Sequence, residues 1–192
     1  MQIRLESSNL GALVDDAAKA LSEGKLIVYP TDTVYGIGGD ATSAESFRKV
    51  LDAKGISSPR PMSVMVSDIE MLKEYCNADA EELEKIKQYL PGPYTFILEV
   101  KQSKLLPVSL ETKKLGVRIP DNEFCIALCK KFGKPIITTS ANITGNTPPV
   151  SFNTIDKSLL EKAAVSIDGG KTKKQAPSEI IDLVDMKFVK RG

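Results

Sequence analysis

Apolar positions along the chain alternate between a helical period and a strand period. Residues 10–21 repeat apolar side chains every three or four positions, with Asn9 as a candidate N-cap and Gly24 as the terminating glycine. The run Leu26–Tyr29 is short and wholly apolar, which is typical of a buried strand. We predict further helices near 42–51, 68–75, 79–90, 122–132 and 153–162, and further strands near 3–5, 62–66, 94–100, 115–119, 135–139, 164–168, 179–184 and 187–190.

This order of elements predicts the fold class. Helices and strands alternate, but the last strands follow one another closely, so we expect an α/β (α+β) fold with a mixed sheet. One domain over residues 1–192 is expected, because this length buries about 70% of the unfolded chain's surface. A capping box of Thr42 and Glu45 is expected to begin the second helix.

Composition narrows the function classes. The 26 Lys and Arg against 25 Asp and Glu leave a net charge of +1, which argues against a strongly basic nucleic-acid module. No signal peptide is recognisable and no apolar run reaches the roughly 18 residues of a membrane span. We therefore expect a cytoplasmic protein with no membrane contact.

The chain contains no histidine, so a Ser–His or Cys–His couple and a histidine-based zinc site are excluded. Of the three cysteines, Cys125 and Cys129 stand four apart on a predicted helix. We interpret them as small core side chains, because a zinc site would need four ligands.

Polar loops follow three of the predicted elements. The segment 30–36 (PTDTVYG) leaves a buried strand, Lys54 ends a helix and enters the loop 55–61, and 138–142 (TTSAN) leaves another strand. In open α/β sheets ligands gather beyond strand carboxyl ends, so two of these loops are expected to face one cleft.

Each candidate also has a simpler interpretation. Thr31 and its neighbours are turn formers, and a lysine at the end of a helix, such as Lys54, complements the helix dipole. On its strand Arg118 is either a solvated side chain or a clamp for carboxylate or phosphate. The sequence 36–41 fits G-x-G-x-x-A but begins too far from its strand for a dinucleotide turn.

Together the loops offer hydroxyls and cations but no nucleophile activated by a base. Such residues suit a site that holds two reactants in line and neutralises negative charge.

The order of these segments resembles the YrdC-type threonylcarbamoyl-AMP synthase family. The resemblance runs from about residue 11 to the end of the chain. It is carried by PTDTVYGIG (30–38), Lys54-Gly55, Arg60-Pro61, PGPYTFIL (91–98), GVRIPD (116–121), TTSANITG (138–145), DGG (168–170), Ser178 with IID (180–182), and Arg191-Gly192.

The resemblance implies a strongly twisted mixed β-sheet with flanking helices and a concave ligand cavity. It also implies a nucleotidyltransferase that condenses L-threonine, bicarbonate and ATP to threonylcarbamoyl-AMP and pyrophosphate. The product would pass to a tRNA-modifying complex acting on adenosine 37, with at most a weak tRNA contact by this chain. Mg²⁺ is the expected cofactor, held mainly by phosphates and by no protein side chain.

The resemblance also assigns roles to individual residues. Threonine would be held by Thr31, Arg118, Thr138 and Ser178. ATP would lie among Lys54, Ser58, Arg60, Ser140, Asn142 and Arg191. The catalytic set would be Lys54, Arg118, Ser140 and Asn142.

One family arginine is replaced here by Ile56, and our hypothesis is that Arg60 supplies the missing charge. Three alternatives stay open: a non-catalytic RNA- or nucleotide-binding module, a relative that transfers carbamoyl from carbamoyl phosphate, and a structural partner of the tRNA-modifying complex.

Overall fold

A ten-stranded β-sheet runs through the molecule. The structure, a computed structural model, describes residues 2–58, 62–104, 106–109, 112–185 and 187–189. The strands are β1 (Gln2–Arg4), β2 (Leu26–Tyr29), β3 (Gly36–Gly38), β4 (Ser63–Met65), β5 (Tyr94–Glu99), β6 (Lys114–Arg118), β7 (Ile136–Ser140), β8 (Ala163–Asp168), β9 (Glu179–Asp182) and β10 (Lys187–Val189).

The sheet is mixed, as predicted. Its spatial order is β1-β8-β2-β3-β7-β4-β6-β5-β9-β10. The pairs β1–β8, β8–β2, β4–β6 and β5–β9 are parallel, and the remaining neighbours are antiparallel. Together with the flanking helices, this confirms the predicted fold class.

Helices cover both faces of the sheet. On one face α1 and α5 pack together over Ile27, Tyr29, Met65 and Ile136. On the other face the remaining helices join a larger apolar cluster around Val28, which alternates with Ile27 and Tyr29 along β2. The helices are α1 (Leu10–Ser22), α2 (Ala44–Ala53), α3 (Ile69–Tyr75), α4 (Ala80–Tyr89), α5 (Glu123–Phe132) and α6 (Lys157–Lys162).

The face under α1 and α5 is only partly covered. Met65 contributes to the apolar cluster there, whereas Ser63, two residues earlier on the same face of β4, lines an open cleft. Thr138 on β7 pairs with Ser63, and Gly116 on β6 pairs with it from the other side. Small and polar side chains therefore continue the sheet face where apolar side chains stop, and this leaves room for a ligand.

Several local predictions need correction. The N-cap of α2 is Ser43, whose hydroxyl accepts from Ser46 N, and Thr42 instead donates to Asp40 Oδ1 at 2.6 Å. The predicted capping box of Thr42 and Glu45 is therefore wrong, because Asp40 competes for Thr42.

At the start of α1, Asn9 occupies the N-cap position, but its side chain accepts from Glu6 N rather than capping the helix. The helix predicted near 153–162 is divided into a 3₁₀ turn, Phe152–Thr154, and α6. Strand β3 lies in a segment that the sequence pattern indicated as a loop.

Candidate functional site

The open part of the sheet face forms a cleft of about 650 Å³. Its floor is made of alternate residues from β4 to β9, and its rim comes from the loop after β7. The lining side chains are mostly hydroxyl-bearing or cationic, with Lys54 and Lys114 as the cations and Asp182 as an acidic side chain. The cleft thus offers hydrogen-bond donors and positive charge on a rigid sheet.

Lys54 is placed by the end of α2, where it is the C-cap residue. Its ammonium group does not stay at the helix end. It donates to Ser140 O, to Asn142 O at 2.8 Å and, more weakly, to Asn142 Oδ1 at 3.4 Å. The lysine therefore connects two polar loops that lie 86 residues apart in the chain.

Asn142 is itself held by its neighbours. Its side-chain amide donates to Ile143 O at 3.1 Å and to Asn146 O at 2.6 Å. Since the Asn142 side chain is fixed and Lys54 is buried, this end of the cleft is preorganised.

A narrow recess opens from the cleft between β7, β6 and the segment that follows β2. Thr31, Arg118, Thr138 and Ser178 all line it, so the four residues implied for threonine binding lie together. The recess and the cleft share the side chains of Ser63, Thr95, Thr138, Thr139 and Ser140. The two sites are therefore continuous.

Arg118 is the charged group of the recess, and it is almost fully buried. It forms a buried ion pair with Asp32, and its other Nη donates to Thr33 Oγ1 at 3.0 Å. Thr33 Oγ1 lies 2.9 Å from Thr31 Oγ1, which donates to Val34 O at 2.7 Å. Asp32 and Thr33, in the turn after β2, thus fix the orientation of the guanidinium group.

This arrangement leaves hydrogen-bonding capacity unused. In the part of the chain that the structure describes, four buried side-chain polar atoms have no hydrogen-bond partner: Tyr29 Oη, Asp32 Oδ2, Ser46 Oγ and Arg118 Nε. Asp32 and Arg118 form the ion pair beside the recess, and Tyr29 lies beneath Gly36 in its wall. Unsatisfied buried groups are costly, so their concentration here marks the recess as a functional site.

The segment 169–178 is fixed to the turn after β2, and its last two residues, Pro177 and Ser178, line the recess. Tyr35 Oη donates to Gly170 O at 2.7 Å, and burial raises the pKa of this phenol to about 12. Thr172 donates to Thr33 O at 2.7 Å, and Lys174 N donates to Asp32 O at 2.9 Å. Ser178 reaches the recess at the end of this segment.

Ser178 is also fixed from the sheet. Its hydroxyl lies 2.8 Å from the hydroxyl of Thr95 on β5, and both residues are buried. Thr95 was not among the predicted site residues, although it lines both the recess and the cleft.

Among the described residues, one predicted site residue lies outside the recess and the cleft. Ser58 is exposed and lines neither the recess nor the cleft. Arg60 and Arg191 lie outside the described residues, so their assignment to ATP stays a prediction. Ile56, at the position of the replaced family arginine, packs against the larger apolar cluster.

The cleft residues that the sequence motifs do not indicate share one feature, their position along the strands. Ser63, Gly116 and Lys114 occupy alternate positions of strands whose intervening residues, such as Val64 and Leu115, are buried in the apolar core. Alternation of small or polar residues with core residues could have located the face of the cleft.

Cys125 and Cys129 are buried, in agreement with the prediction that they are core side chains, and Cys76 is buried as well. Burial raises the pKa of Cys76 to about 12, and it also raises the pKa values of Cys125 and Cys129. Among the described residues no three His, Cys, Asp or Glu side chains converge in a way that could hold a metal ion. No helix in the described part of the chain is long and apolar enough to cross a membrane.

A family model for Sua5, YciO and YrdC proteins, described as telomere recombination, matches residues 19–192. A protein of Methanocaldococcus jannaschii named putative threonylcarbamoyl-AMP synthase is 35% identical over 171 residues, which cover 89% of this chain and 80% of that protein. A threonylcarbamoyl-AMP synthase of Aliivibrio fischeri is 32% identical, with 96% of this chain and 99% of that protein covered.

Among solved structures, that of Pyrococcus abyssi Sua5 complexed with L-threonine has a TM-score of 0.83 and 28% identity. The match covers 96% of this chain and 54% of that one. The chain likewise spans half the length of a related Bacillus subtilis threonylcarbamoyl-AMP synthase.

Proposed function

Because the chain belongs to the Sua5, YciO and YrdC family, we propose that it is a threonylcarbamoyl-AMP synthase, a nucleotidyltransferase that uses L-threonine, bicarbonate and ATP. The single observation that carries this proposal is the continuity of the recess with the cleft. The recess, about 20 Å³, has room only for the polar end of a small zwitterion beside the buried Arg118, and the remainder of that ligand would lie in the adjoining cleft. The cleft, about 650 Å³, also suits a larger anion beside Lys54.

Threonine binds where the recess opens into the cleft, with its carboxylate toward Arg118. The guanidinium group of Arg118 is preoriented by Asp32 and Thr33, so it offers a fixed cation to the substrate carboxylate. Thr31, Thr138 and Ser178 supply neutral hydroxyls around it, which can both donate and accept.

ATP binds in the cleft. Lys54 places its positive charge beside the phosphates while its N–H groups hold Ser140 and Asn142 in position. The hydroxyl of Ser140, which lines both the cleft and the recess, is a donor at the point where the two meet. We also propose Ser58, Arg60 and Arg191 as residues of the ATP site. Arg60 would supply the positive charge that is missing at Ile56.

Mg²⁺ fits this donor set only as a companion of the nucleotide. The described residues offer no converging set of three acidic ligands, and Asp182 Oδ1 already accepts from the backbone N–H groups of Val184 and Asp185. We therefore propose that the ion arrives on the ATP phosphates and neutralises their charge.

The reaction then requires positioning rather than covalent catalysis. The threonine amine loses a proton and bonds to the carbon of CO2 or bicarbonate, giving a carbamate, with water released when bicarbonate is used. A carbamate oxygen attacks the α-phosphorus of ATP, the bond to the β-phosphate bridging oxygen breaks, and pyrophosphate leaves. Arg118, Lys54, Ser140 and Asn142 hold the two reactants in line and balance their negative charge.

We further propose that residues 1–192 act as one domain, that the protein works in the cytoplasm, and that the labile product passes to a tRNA-modifying complex. The three free cysteines support a reducing compartment. Any direct contact with tRNA would be weak, because the net charge is only +1.

The test is pyrophosphate release from the purified protein with ATP, Mg²⁺ and bicarbonate, with and without L-threonine. Release that depends on both threonine and bicarbonate supports the proposal. Release without threonine would favour carbamoyl transfer to another acceptor, and no release with no ATP binding would favour a binding module.

Variants connect the activity to the site. Arg118→Gln should raise the threonine KM at least tenfold, about 1.4 kcal/mol. Arg48→Gln is the matched control, because Arg48 is an exposed arginine on α2. Equal effects of the two substitutions would contradict the assignment of Arg118.

A further inference from the structure

Tyr29 is fully buried at the end of β2, yet its hydroxyl has no hydrogen-bond partner. An unpaired buried hydroxyl costs stability, whereas phenylalanine would fill the same space without that cost. The groups that surround this hydroxyl indicate its role.

The Tyr29 ring lies across β3, the next strand of the sheet. Tyr29 pairs with Gly36, and Ile27 pairs with Gly38, so both glycines face the ring. A Cβ atom at Gly36 would lie 3.1 Å from Tyr29 Cζ, and one at Gly38 would lie 3.2 Å from Tyr29 Oη. The missing side chains therefore leave a slot that the ring occupies.

The slot leads to β7 on the far side of β3. Gly36 pairs with Ser140, and Asp40 faces Ile136 in the same register, which places Gly38 opposite Thr138. The hydroxyl of Thr138 is accordingly the side-chain group beside the Tyr29 phenol that can bond with it. Thr138 in turn lines both the recess and the cleft.

We propose that Tyr29 is a positioning residue: when threonine occupies the recess, the Tyr29 hydroxyl, which has no partner in the ligand-free protein, donates to Thr138 Oγ1 and thereby turns the Thr138 hydrogen toward a substrate oxygen. A hydroxyl has one donor and two acceptor sites. When Thr138 Oγ1 accepts from Tyr29, the hydrogen of the Thr138 hydroxyl stays available to donate to a substrate oxygen. The proposal rests on the proposed function, since it takes threonine as the ligand of the recess. It also explains the G-I-G sequence at 36–38 without any dinucleotide.

The decisive variant is Tyr29→Phe, which removes one oxygen atom. We expect kcat/KM for threonine to fall about tenfold, equal to about 1.4 kcal/mol. The ATP KM should stay within about twofold. The Tm of the substrate-free protein should stay equal or rise, because the hydroxyl that is lost has no partner until threonine binds. Tyr89→Phe is the matched control, since Tyr89 is 38% exposed at the end of α4.

A double-variant cycle with Thr138→Val distinguishes positioning from general packing. If Tyr29 acts through Thr138, adding Tyr29→Phe to Thr138→Val should change threonine kinetics by less than about twofold. Independent, additive losses would overturn the proposal, as would a Tyr29→Phe enzyme within twofold of the wild type. Equal increases in both KM values would also overturn it, because they would indicate a general distortion.

Pyrophosphate release from the unmodified protein distinguishes a failure of the proposed function from a failure of the role of Tyr29. If the unmodified protein releases no pyrophosphate in response to threonine, the proposed function is wrong and the role of Tyr29 falls with it. If the unmodified protein is active and Tyr29→Phe is equally active, only the role of Tyr29 is refuted.

Discussion

The substitution Asp32→Asn tests the electrostatic basis of the recess, because it removes one charge and almost no volume. The side chains of Arg118 and Asp32 are 7% and 3% exposed, so solvent screens this pair very little. Asparagine keeps an oxygen that can accept from Arg118 but leaves the buried guanidinium group without a counter-charge.

The expected loss follows from this burial. Removing one partner of a buried ion pair costs about 3–5 kcal/mol, and the lower end applies here because Thr33 still accepts one hydrogen bond from Arg118. In a chain of 192 residues each kcal/mol lowers Tm by about 2–4 °C, so about 3 kcal/mol corresponds to about 6–12 °C.

Thermal and urea unfolding should be measured in a buffer free of carboxylate and phosphate, because such anions could replace Asp32 beside Arg118. Asp121→Asn is the matched control: its pair with Lys173 is exposed and should contribute less than about 1 kcal/mol. The double variant Asp32→Asn/Arg118→Gln should recover part of the loss. A Tm for Asp32→Asn within about 2 °C of the wild type would refute the reasoning.

Three further measurements test other features of the structure. Lys54→Met should raise the ATP KM at least tenfold, about 1.4 kcal/mol, because it removes a buried positive charge from the cleft, whereas Lys85→Met on exposed α4 should not; equal effects would exclude Lys54 from the ATP site. Gly38→Ala should destabilise the fold, because its Cβ would lie 2.2 Å from a backbone oxygen, while Gly11→Ala on α1 should stabilise it by about 0.5–1 kcal/mol; a stable Gly38→Ala protein would refute the register of β3. The free energy of unfolding should fall from pH 10 to about pH 12, because the fold favours the protonated Tyr35 phenol and the unfolded chain ionises near pH 10; Tyr35→Phe should reduce this slope, and an unchanged slope would contradict the assignment.

Elements with a clear period could be predicted from the sequence. The apolar run at 26–29 is β2, and Gly24, whose φ is +68°, follows the end of α1 as expected. Strand β3 could not be predicted in this way, since three residues with two glycines show no alternation. The capping error at Thr42 has a similar origin, because the adjacent Thr42 and Ser43 are both suitable caps and only Asp40 decides between them.

The candidate site was predictable in part. Polar segments at strand ends indicated Thr31 and Thr138, although Thr138 lies within β7, and the motifs of the family indicated Arg118 and Ser178. All four line one recess, and their roles in binding stay predictions. The ion pair of Arg118 with Asp32 joins residues 86 apart, and nothing in the local pattern of either segment pairs them. The order of the strands in the sheet brings these groups together. The pattern of hydrophobic and polar residues within one segment does not predict that order.

The strand order has a consequence for synthesis of the chain on the ribosome. Among the described strands, β1 pairs with β8 alone, so residues 2–4 have no partner strand until residues 163–168 are made. One edge of β5 similarly has no partner until β9 is made. At about 5–20 residues per second, roughly 10–30 s pass before β8 is made. During that time α1 has no completed sheet to cover, and its apolar face remains available to chaperones.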